Sequence, residues 1–368
     1  MTDYYEIDFL DVESSKSGDA ITLRYKKDGI TRIHVVDGGF QATGESVRDH
    51  INKHYDSPTI INSVVATHPD GDHAGGLRTI LQEFEVEELW MLRPWLYADE
   101  LLPRFTRFKS KENLITRLKT IYPNIAALEE IAMEKGIQIK EPFQGENIDQ
   151  FSVLAPTKTR YLDLVVESDK TPESAKAIEK SESLEKAVLG VLEKAYQGAV
   201  TFIKSLWGDE NFSEDDTSAE NEMSVVQYAY LNGHKILLTG DAGRDAMTES
   251  YDFSVDQLGV TLPGIDKFQV PHHGSRRNLS SELCDKWLGE QLDERIDDDD
   301  KKFSALISAA KKDEHHPRNV VVRAMFHRGG VVFTTENAGF RTSGGDAPVR
   351  DGWVAIKPKE YPDEMEGD

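Results

Sequence analysis

The sequence predicts a layered α/β fold, and three observations carry that prediction. Strand-like and helix-like segments alternate between residues 44 and 92. The run Ile60 to Thr67 is apolar enough for a strand buried on both faces. Strand patterning then returns after residue 224. The 368 residues, 38% of them hydrophobic and 27 of them glycine, suit one large domain with insertions.

Taken in order, Ile7 to Val12, Ala20 to Tyr25 and Thr31 to Val36 are rich in β-branched and aromatic residues. They read as strands, with Asp28-Gly29 turning a hairpin. Asp37-Gly38-Gly39 gives the third a sharp exit. Gly44 to Tyr55 has a helical pattern, Leu77 to Phe84 is the next helix and Val86 to Leu92 the next strand. Residues 96 to 140 are mostly helical and charged, and Phe151 to Leu154 is a short strand closing at Pro156.

From about Asp163 to Ala219 the chain becomes rich in Glu and Lys. Leu184, Val188, Val191, Leu192, Ala195, Ala199, Ile203 and Leu206 recur there at helical spacing. We read a single domain, 1–368, with a helical insertion over 158–218. Its apolar stripe packs on the main domain, serves as a lid or forms an oligomer seam. Ser224 to Tyr230, the turn Asn232-Gly233 and Lys235 to Leu238 restore the sheet. Short strands follow at Lys267 to Val270, Ser304 to Ser308 and Val331 to Thr335. The acidic run Asp297 to Asp300 reads as a solvated loop, since like charges resist packing.

Charge and targeting signals narrow the classes. The net charge of −23 should repel polyanions on average, which counts against broad nucleic-acid coating. Cys284 is the only cysteine, so no internal disulfide can form, as suits a reducing compartment. The start MTDYYEIDFL has no basic segment leading into an apolar one, and no window approaches the about 18 apolar residues of a membrane helix. These features predict a soluble, cytoplasmic protein without a membrane partner.

The densest chemical signal is Thr67-His-Pro-Asp-Gly-Asp-His73-Ala-Gly-Gly76, delivered by the buried strand. His68, Asp70, Asp72 and His73 offer four nitrogen or oxygen ligands within six positions, as hydrolytic Zn2+, Mn2+ or Fe2+ sites require. Two further strands end in Thr239-Gly240-Asp241 and in Pro271-His272-His273-Gly274. Alone, Asp241 could be a helix cap and the histidines a surface turn. Together they offer ligands to one shared point, where a carboxylate at 241 could bridge two metals.

These residues give the chain a family resemblance. His68-x-Asp70-x-Asp72-His73 is similar to the H-x-H-x-D-H signature of the metallo-β-lactamase superfamily, with aspartate at the second histidine's place. With LLTGDA at Asp241 and PHHGS at His272 and His273, it resembles the hydrolase domain of the ComEC DNA-uptake channel proteins. Phe9 to Val12 with Gly18 to Ala20, Val35 to Gly39, Asn221 with Ser224, and Ile307-Ser308 before His316-Pro317 extend the likeness nearly end to end. It is interrupted from about 158 to 218, and no transmembrane channel accompanies it, so a transport role does not carry over.

The resemblance implies a four-layer αβ/βα metallo-β-lactamase-like sandwich and one or two divalent ions, Zn2+ and/or Mn2+. It implies hydrolysis of phosphodiester bonds, those of DNA included. One of His272 and His273 would coordinate while the other supports it. Asn221 stands where many relatives carry another histidine ligand; it binds metal through its carbonyl, orients water or is a turn residue. A carboxylate at Asp70 hardens one metal position and should favour Mn2+ or Mg2+ there, with His68 and the later histidine at a softer one.

A divalent ion makes water a nucleophile near neutral pH. Asp72 is the candidate to orient that nucleophile and accept a proton, and is also a possible ligand. His316 is the candidate acid or hydrogen-bond donor at the leaving group, or else a plain surface histidine. Arg104, Arg107, Lys109, Lys111, Arg117 and Lys119, interleaved with Phe105 and Phe108, could track a phosphate backbone or simply form a solvated helix face. Arg276 and Arg277 follow the histidine pair and could grip phosphate.

The leading expectation is therefore a phosphodiesterase or nuclease, alone or within a homo-oligomer or larger assembly. A hydrolase of a small ester, lactone or cyclic nucleotide is the alternative, and a non-catalytic binding module the second.

Overall fold

The computed structural model describes residues 3–12, 15–171, 202–297 and 300–366. The stripe from Leu184 to Ala199 and the middle of the acidic run at 298–299 lie outside the described residues. The strands are β1 (Tyr4–Phe9), β2 (Ala20–Lys27), β3 (Ile30–Gly38), β4 (Ile60–Val65), β5 (Glu85–Trp90), β6 (Gln138–Lys140), β7 (Asn147–Ile148) and β8 (Phe151–Ala155). They continue as β9 (Phe202–Lys204), β10 (Val226–Leu231), β11 (His234–Leu238), β12 (Lys267–Gln269), β13 (Phe303–Ile307), β14 (Gly330–Thr334), β15 (Phe340–Gly345) and β16 (Glu364–Glu366).

Among the described residues these strands form two seven-stranded sheets, ordered β15-β1-β2-β3-β4-β5-β6 and β14-β13-β12-β11-β10-β8-β7. Both are mixed. In the first, β15, β1, β2 and β3 are antiparallel neighbours and β3 to β6 run parallel. In the second, β7, β8, β10 and β11 are antiparallel and β11 to β14 parallel. Strands β9 and β16 pair separately.

The parallel strands carry the apolar runs that burial on both faces demands. The two sheets share a core: Tyr5, Ile7 and Val35 of the first pack in one cluster with Val153, Ala229 and Ile236 of the second. Helices Thr43–His54 and Leu77–Glu83 add Val47, Ile51, Leu77 and Ile80 to that cluster. Helices Arg244–Asp256, Ser281–Leu288 and Asn319–His327 bury Met247, Trp287 and Val321 in a second cluster with β12 and β13. The architecture is a mixed α/β fold arranged as a sandwich of two sheets with packed helices.

Strand β1 shows how the first sheet holds its polar face. Tyr5, Ile7 and Phe9 enter the core, while Glu6 and Asp8 on the other side are fully buried too. Their charges are met by Arg24, directly opposite Glu6 across the strand pair, and by Arg341 and Arg350, at 2.6 to 2.8 Å. Such pairs stabilise only when both charges stay matched.

The segment read as one helical insertion divides. Lys158–Glu167 is helical, but residues 202–218 are not: β9 is a strand and the following stretch is irregular. The reason is tertiary. Met365 lies opposite Ile203 in the β9–β16 pair, and Trp207 packs on the second core cluster with its indole donating to Leu292 O at 2.6 Å. No helix among the described residues is long and apolar enough to cross a membrane. Cys284 is buried, which pushes its thiol up to about 12.

Candidate metal centre

The site lies where parallel strands end, the position at which open α/β sheets gather functional groups. Strand β4 runs into Thr67-His68, and the short helix Gly71–Ala74 carries Asp72 and His73. That loop fits only because glycine faces it. A Cβ on Gly76 would stand 2.0 Å from Gly38 O at the end of β3, and one on Gly18 would stand 2.6 Å from Asp72 O. Strand β11 ends at Leu238, just before Gly240 and Asp241. Strand β12 precedes His272 and His273, whose φ values of 48° and 56° are left-handed. Non-glycine residues adopt that region at a cost of about 1–3 kcal/mol each, a strain typical of functional turns.

These distant loops converge on one carboxylate. Asp241 Oδ1 lies 3.2 Å from His73 Nε2 and 3.7 Å from His273 Nε2. Its Oδ2 lies 3.9 Å from His68 Nε2 and 3.6 Å from His272 Nε2. Each oxygen thus faces one pair of imidazoles, and the two halves of the chain contribute one imidazole to each pair. Asp72 Oδ2 stands 4.0 Å from His273 Nε2 on the Oδ1 side.

The other imidazole nitrogens are all engaged. His73 Nδ1 donates to Asp37 Oδ2 at 2.7 Å, and His273 Nδ1 donates to Ser308 O at 3.0 Å. Thr67 Oγ1 gives its own proton to Asp37 Oδ2 at 2.6 Å, so it accepts from His68 Nδ1 at 3.1 Å. Asn278 is fixed by donating to Asp241 O and Ala242 O, which turns its Oδ1 to accept from His272 Nδ1 at 2.9 Å. With each Nδ1 engaged outward, every Nε2 faces Asp241, the orientation that metal-ligating histidines adopt.

Burial makes that arrangement costly without a ligand. His68, His73, His273 and Asp241 are each under 5% exposed. The Nε2 atoms of these three histidines and Asp241 Oδ1 have no hydrogen-bond partner. Buried polar atoms are nearly always satisfied, so four orphans aimed at one point mark a place for a cation. Ligand atoms of His68, His73 and Asp241, of Asp72, His73 and His273, and of Asp19, Asp241 and His273 lie within 4.8 Å of one another. The donor set, imidazole nitrogen with carboxylate oxygen, fits Zn2+ or Mn2+.

Burial and charge oppose one another at the centre. Burial works to raise the Asp241 carboxyl, but the imidazoles at 73, 272 and 273 outweigh it and hold it well below the usual range. Burial likewise works to lower His73, and the carboxylates of Asp241 and Asp37 overcome it and raise the imidazole. Burial first, and then the charges of His73 and His272, bring His273 down to about 4 against the pull of Asp241. Asp19 is raised by burial and by the neighbouring Asp241, against the pull of His73.

No protein-family model and no curated protein matches this chain.

Asp70 and Asn221 stand apart from the cluster. The Asp70 carboxylate meets Lys170 Nζ at 2.6 Å and joins none of the ligand groups. Burial would raise it, yet His68 and Lys170 hold it below its ordinary value. The Asn221 amide lies between Thr217 Oγ1 and His272 Nδ1, at 2.7 and 3.1 Å, beside the ring rather than the carboxylate.

His316 is at the site. Its ring centre lies 5.3 Å from that of His272 and 5.9 Å from that of His273. Burial lowers its imidazole, although Asp313 pulls the other way. At neutral pH it is thus a neutral ring whose Nδ1–H faces Asp313. Its Nε2 is an acceptor, better placed to take a proton than to give one.

Of the basic residues, Arg276 and Arg277 flank the histidine turn. Arg277 pairs with Asp215 at 3.2 Å. Arg318, whose N–H donates to Gly274 O at 3.0 Å, joins them: its guanidinium is lowered first by burial, and then by the charges of Arg276 and Arg277. The stretch after Arg104 is different. Arg104 is paired with Asp163 at 2.7 Å, Lys111 with Asp99 and Lys119 with Glu129, and Phe105 is buried in the core. Arg107 and Lys109 are exposed. Carboxylates distant in sequence thus neutralise half of that cluster, which the local spacing could not reveal.

Sequence reasoning singled out the segments that hold Asp19, Asp37 and Ser308 without giving those residues a site role, and gave none to Asn278, Asp313, Lys170 and Arg318. For Asp19 and Asp37 a signal existed: each stands beside glycine at the mouth of an apolar strand.

Proposed function

We propose that this chain is a metal-dependent hydrolase with the four-layer metallo-β-lactamase-like fold, acting as a phosphodiesterase or nuclease. The observation that carries the reading is the ring of inward-facing imidazole nitrogens: four Nε2 atoms around the two oxygens of Asp241. Divalent ions held there supply Lewis-acid activation of water and of an ester's oxygens. His68, Asp72, His73, Asp241, His272 and His273 would hold them.

The chain's own residues then divide the remaining work. Asp72, on the Oδ1 side and about a third exposed, is placed to orient a water and take its proton. His316, fixed by Asp313, presents a neutral acceptor nitrogen beside His272. Arg276 and Arg318, with Arg277 held by Asp215, bring guanidinium groups beside the histidine turn in an otherwise acidic protein. That favours an anionic ester over a neutral one, because guanidinium groups match phosphate oxygens. The apolar cavity beside His68, lined by Leu92, Pro94, Tyr122, Ile125 and Tyr161, has a volume of about 10 Å3.

The test is hydrolysis of bis-p-nitrophenyl phosphate, plasmid, single-stranded DNA and RNA with Mn2+ or Zn2+. Wild type should turn over at least one of them and Asp241→Asn none. Turnover unaffected by chelation would overturn the reading.

A further inference from the structure

We propose that Lys170 controls how many ions the centre holds. Its ammonium claims Asp70, leaving one tight divalent site on the Oδ1 side of Asp241 and only a weak one on the Oδ2 side. The inference rests on the metal reading above and concerns this chain's own departure from a symmetric two-ion centre.

The two sides are unequally equipped. The Oδ1 side has Asp72, His73 and His273 with their ligand atoms mutually within 4.8 Å, and Asp19 joins Asp241 and His273 in a second such group. The Oδ2 side has His68, which forms such a group only with His73 and Asp241, and His272, which belongs to none among the described residues. Asp70 is the nearest further anionic ligand in the sequence, two residues from His68. Its Oδ1, however, is 2.6 Å from Lys170 Nζ. A carboxylate in that bond is partly offset and turned toward the lysine, and a cation approaching it meets the lysine's solvent-screened charge as well as competing for a ligand.

Lys170 is placed there by the fold. It sits in the turn Ser168–Thr171, whose first and last side chains are fully buried. Thr171 Oγ1 donates back to Val165 O at 2.8 Å, and Lys170 N donates to Ser168 Oγ at 3.0 Å. Ser168 Oγ in turn donates to buried Glu220, which precedes Asn221 and so ties the turn to the segment beside His272. The lysine is therefore presented from an anchored turn at the end of the 158–167 helix, opposite the loop that carries the ligands.

The experiment is metal counting on the purified full-length protein. Wild type, Lys170→Gln, Lys170→Arg and the double variant Lys170→Gln/Asp70→Asn are loaded with Mn2+ or with Zn2+. Each is dialysed against metal-free buffer, and bound ions are measured by elemental mass spectrometry. Titration calorimetry supplies the affinity of each step, and circular dichroism confirms folding.

Wild type and Lys170→Arg should retain one ion. Lys170→Gln should retain two, its second step tightened at least about tenfold. The double variant should return to one, because the second ion needs Asp70. Two equally tight ions in wild type, or an unchanged count in folded Lys170→Gln, would overturn the inference and leave the hydrolase reading standing. Wild type retaining no ion at all would remove both.

Discussion

Asp313 Oδ2 lies 3.2 Å from His316 Nδ1, and the same oxygen accepts from Ser17 N at 3.0 Å and Ser17 Oγ at 2.8 Å. The carboxylate is thus locked to the β1–β2 loop and in turn locks the imidazole over the candidate centre. His316→Ala should lower kcat on bis-p-nitrophenyl phosphate on the order of 100-fold, as loss of a proton-transfer group does. Metal content should not change. Asp313→Asn should have a smaller effect and shift the acidic limb of the pH–rate profile. Loss of bound metal in His316→Ala would instead make His316 a ligand.

Asp37 joins two site loops, accepting from Thr67 N, Thr67 Oγ1 and His73 Nδ1 at 2.6 to 2.9 Å. Asp37→Asn removes the charge that fixes the His73 tautomer and the hydroxyl that orients His68. Metal affinity should fall about 10–100-fold. Calorimetric titration of apoprotein would show it, and an unchanged dissociation constant would refute it.

Glu210 supports the fold far from the site, meeting His327 Nδ1 at 2.8 Å and Arg328 at 2.7 Å. Burial would raise its carboxyl, but His327 and Arg328 bring it from 4.5 down to about 2. The unfolded chain therefore binds the proton first. The stability this group contributes is complete above about pH 4.5 and disappears as pH falls through about 2. Glu210→Gln should destabilise the protein at neutral pH by on the order of 3 kcal/mol and flatten the pH dependence of unfolding between those limits. Urea titrations at pH 3 and pH 7 would compare the two.

Cys284 should not react with a water-soluble disulfide reagent in the native protein, since it is buried and its thiol stands near 12. One equivalent should appear on unfolding in denaturant. Fast native labelling would show that the helix Ser281–Leu288 opens.

Much of the fold was legible because its period-2 and apolar runs coincide with real strands. Ala20 to Tyr25, Ile60 to Thr67 and Lys235 to Leu238 each fall on an observed strand, shifted by a few residues at most. Asp28-Gly29 and Asn232-Gly233 turn hairpins with positive φ at both residues. No element was expected at the helix Asn319–His327, whose β-branched run Val320-Val321-Val322 masks a helical pattern. It is helical because nearly every side is buried, and packing overrides propensity there. Strands β6 and β9 were too short, at three residues each, to register as a pattern.

At the site, the residue clusters were readable because histidines and aspartates crowd the strand ends. The partners were not. Lys170 lies 100 positions from Asp70, and Ser17 lies 296 positions from Asp313, and neither pairing leaves a local trace. The sequence suggested one ligand and one support for His272 and His273, whereas their left-handed backbone turns both rings toward Asp241, each to a different oxygen.

The division of imidazoles between the sheets has a mechanical consequence. Asp72 and His73 belong to the loop after β4, whereas Asp241 and His273 follow β11 and β12 of the other sheet. An ion bound among them would be a rivet through both slabs, and heat could not part them without first breaking its coordination. Saturating such a site at about 100 times its dissociation constant is worth about 2.7 kcal/mol, so a chelator would loosen the join between the two slabs in the same act by which it stopped turnover.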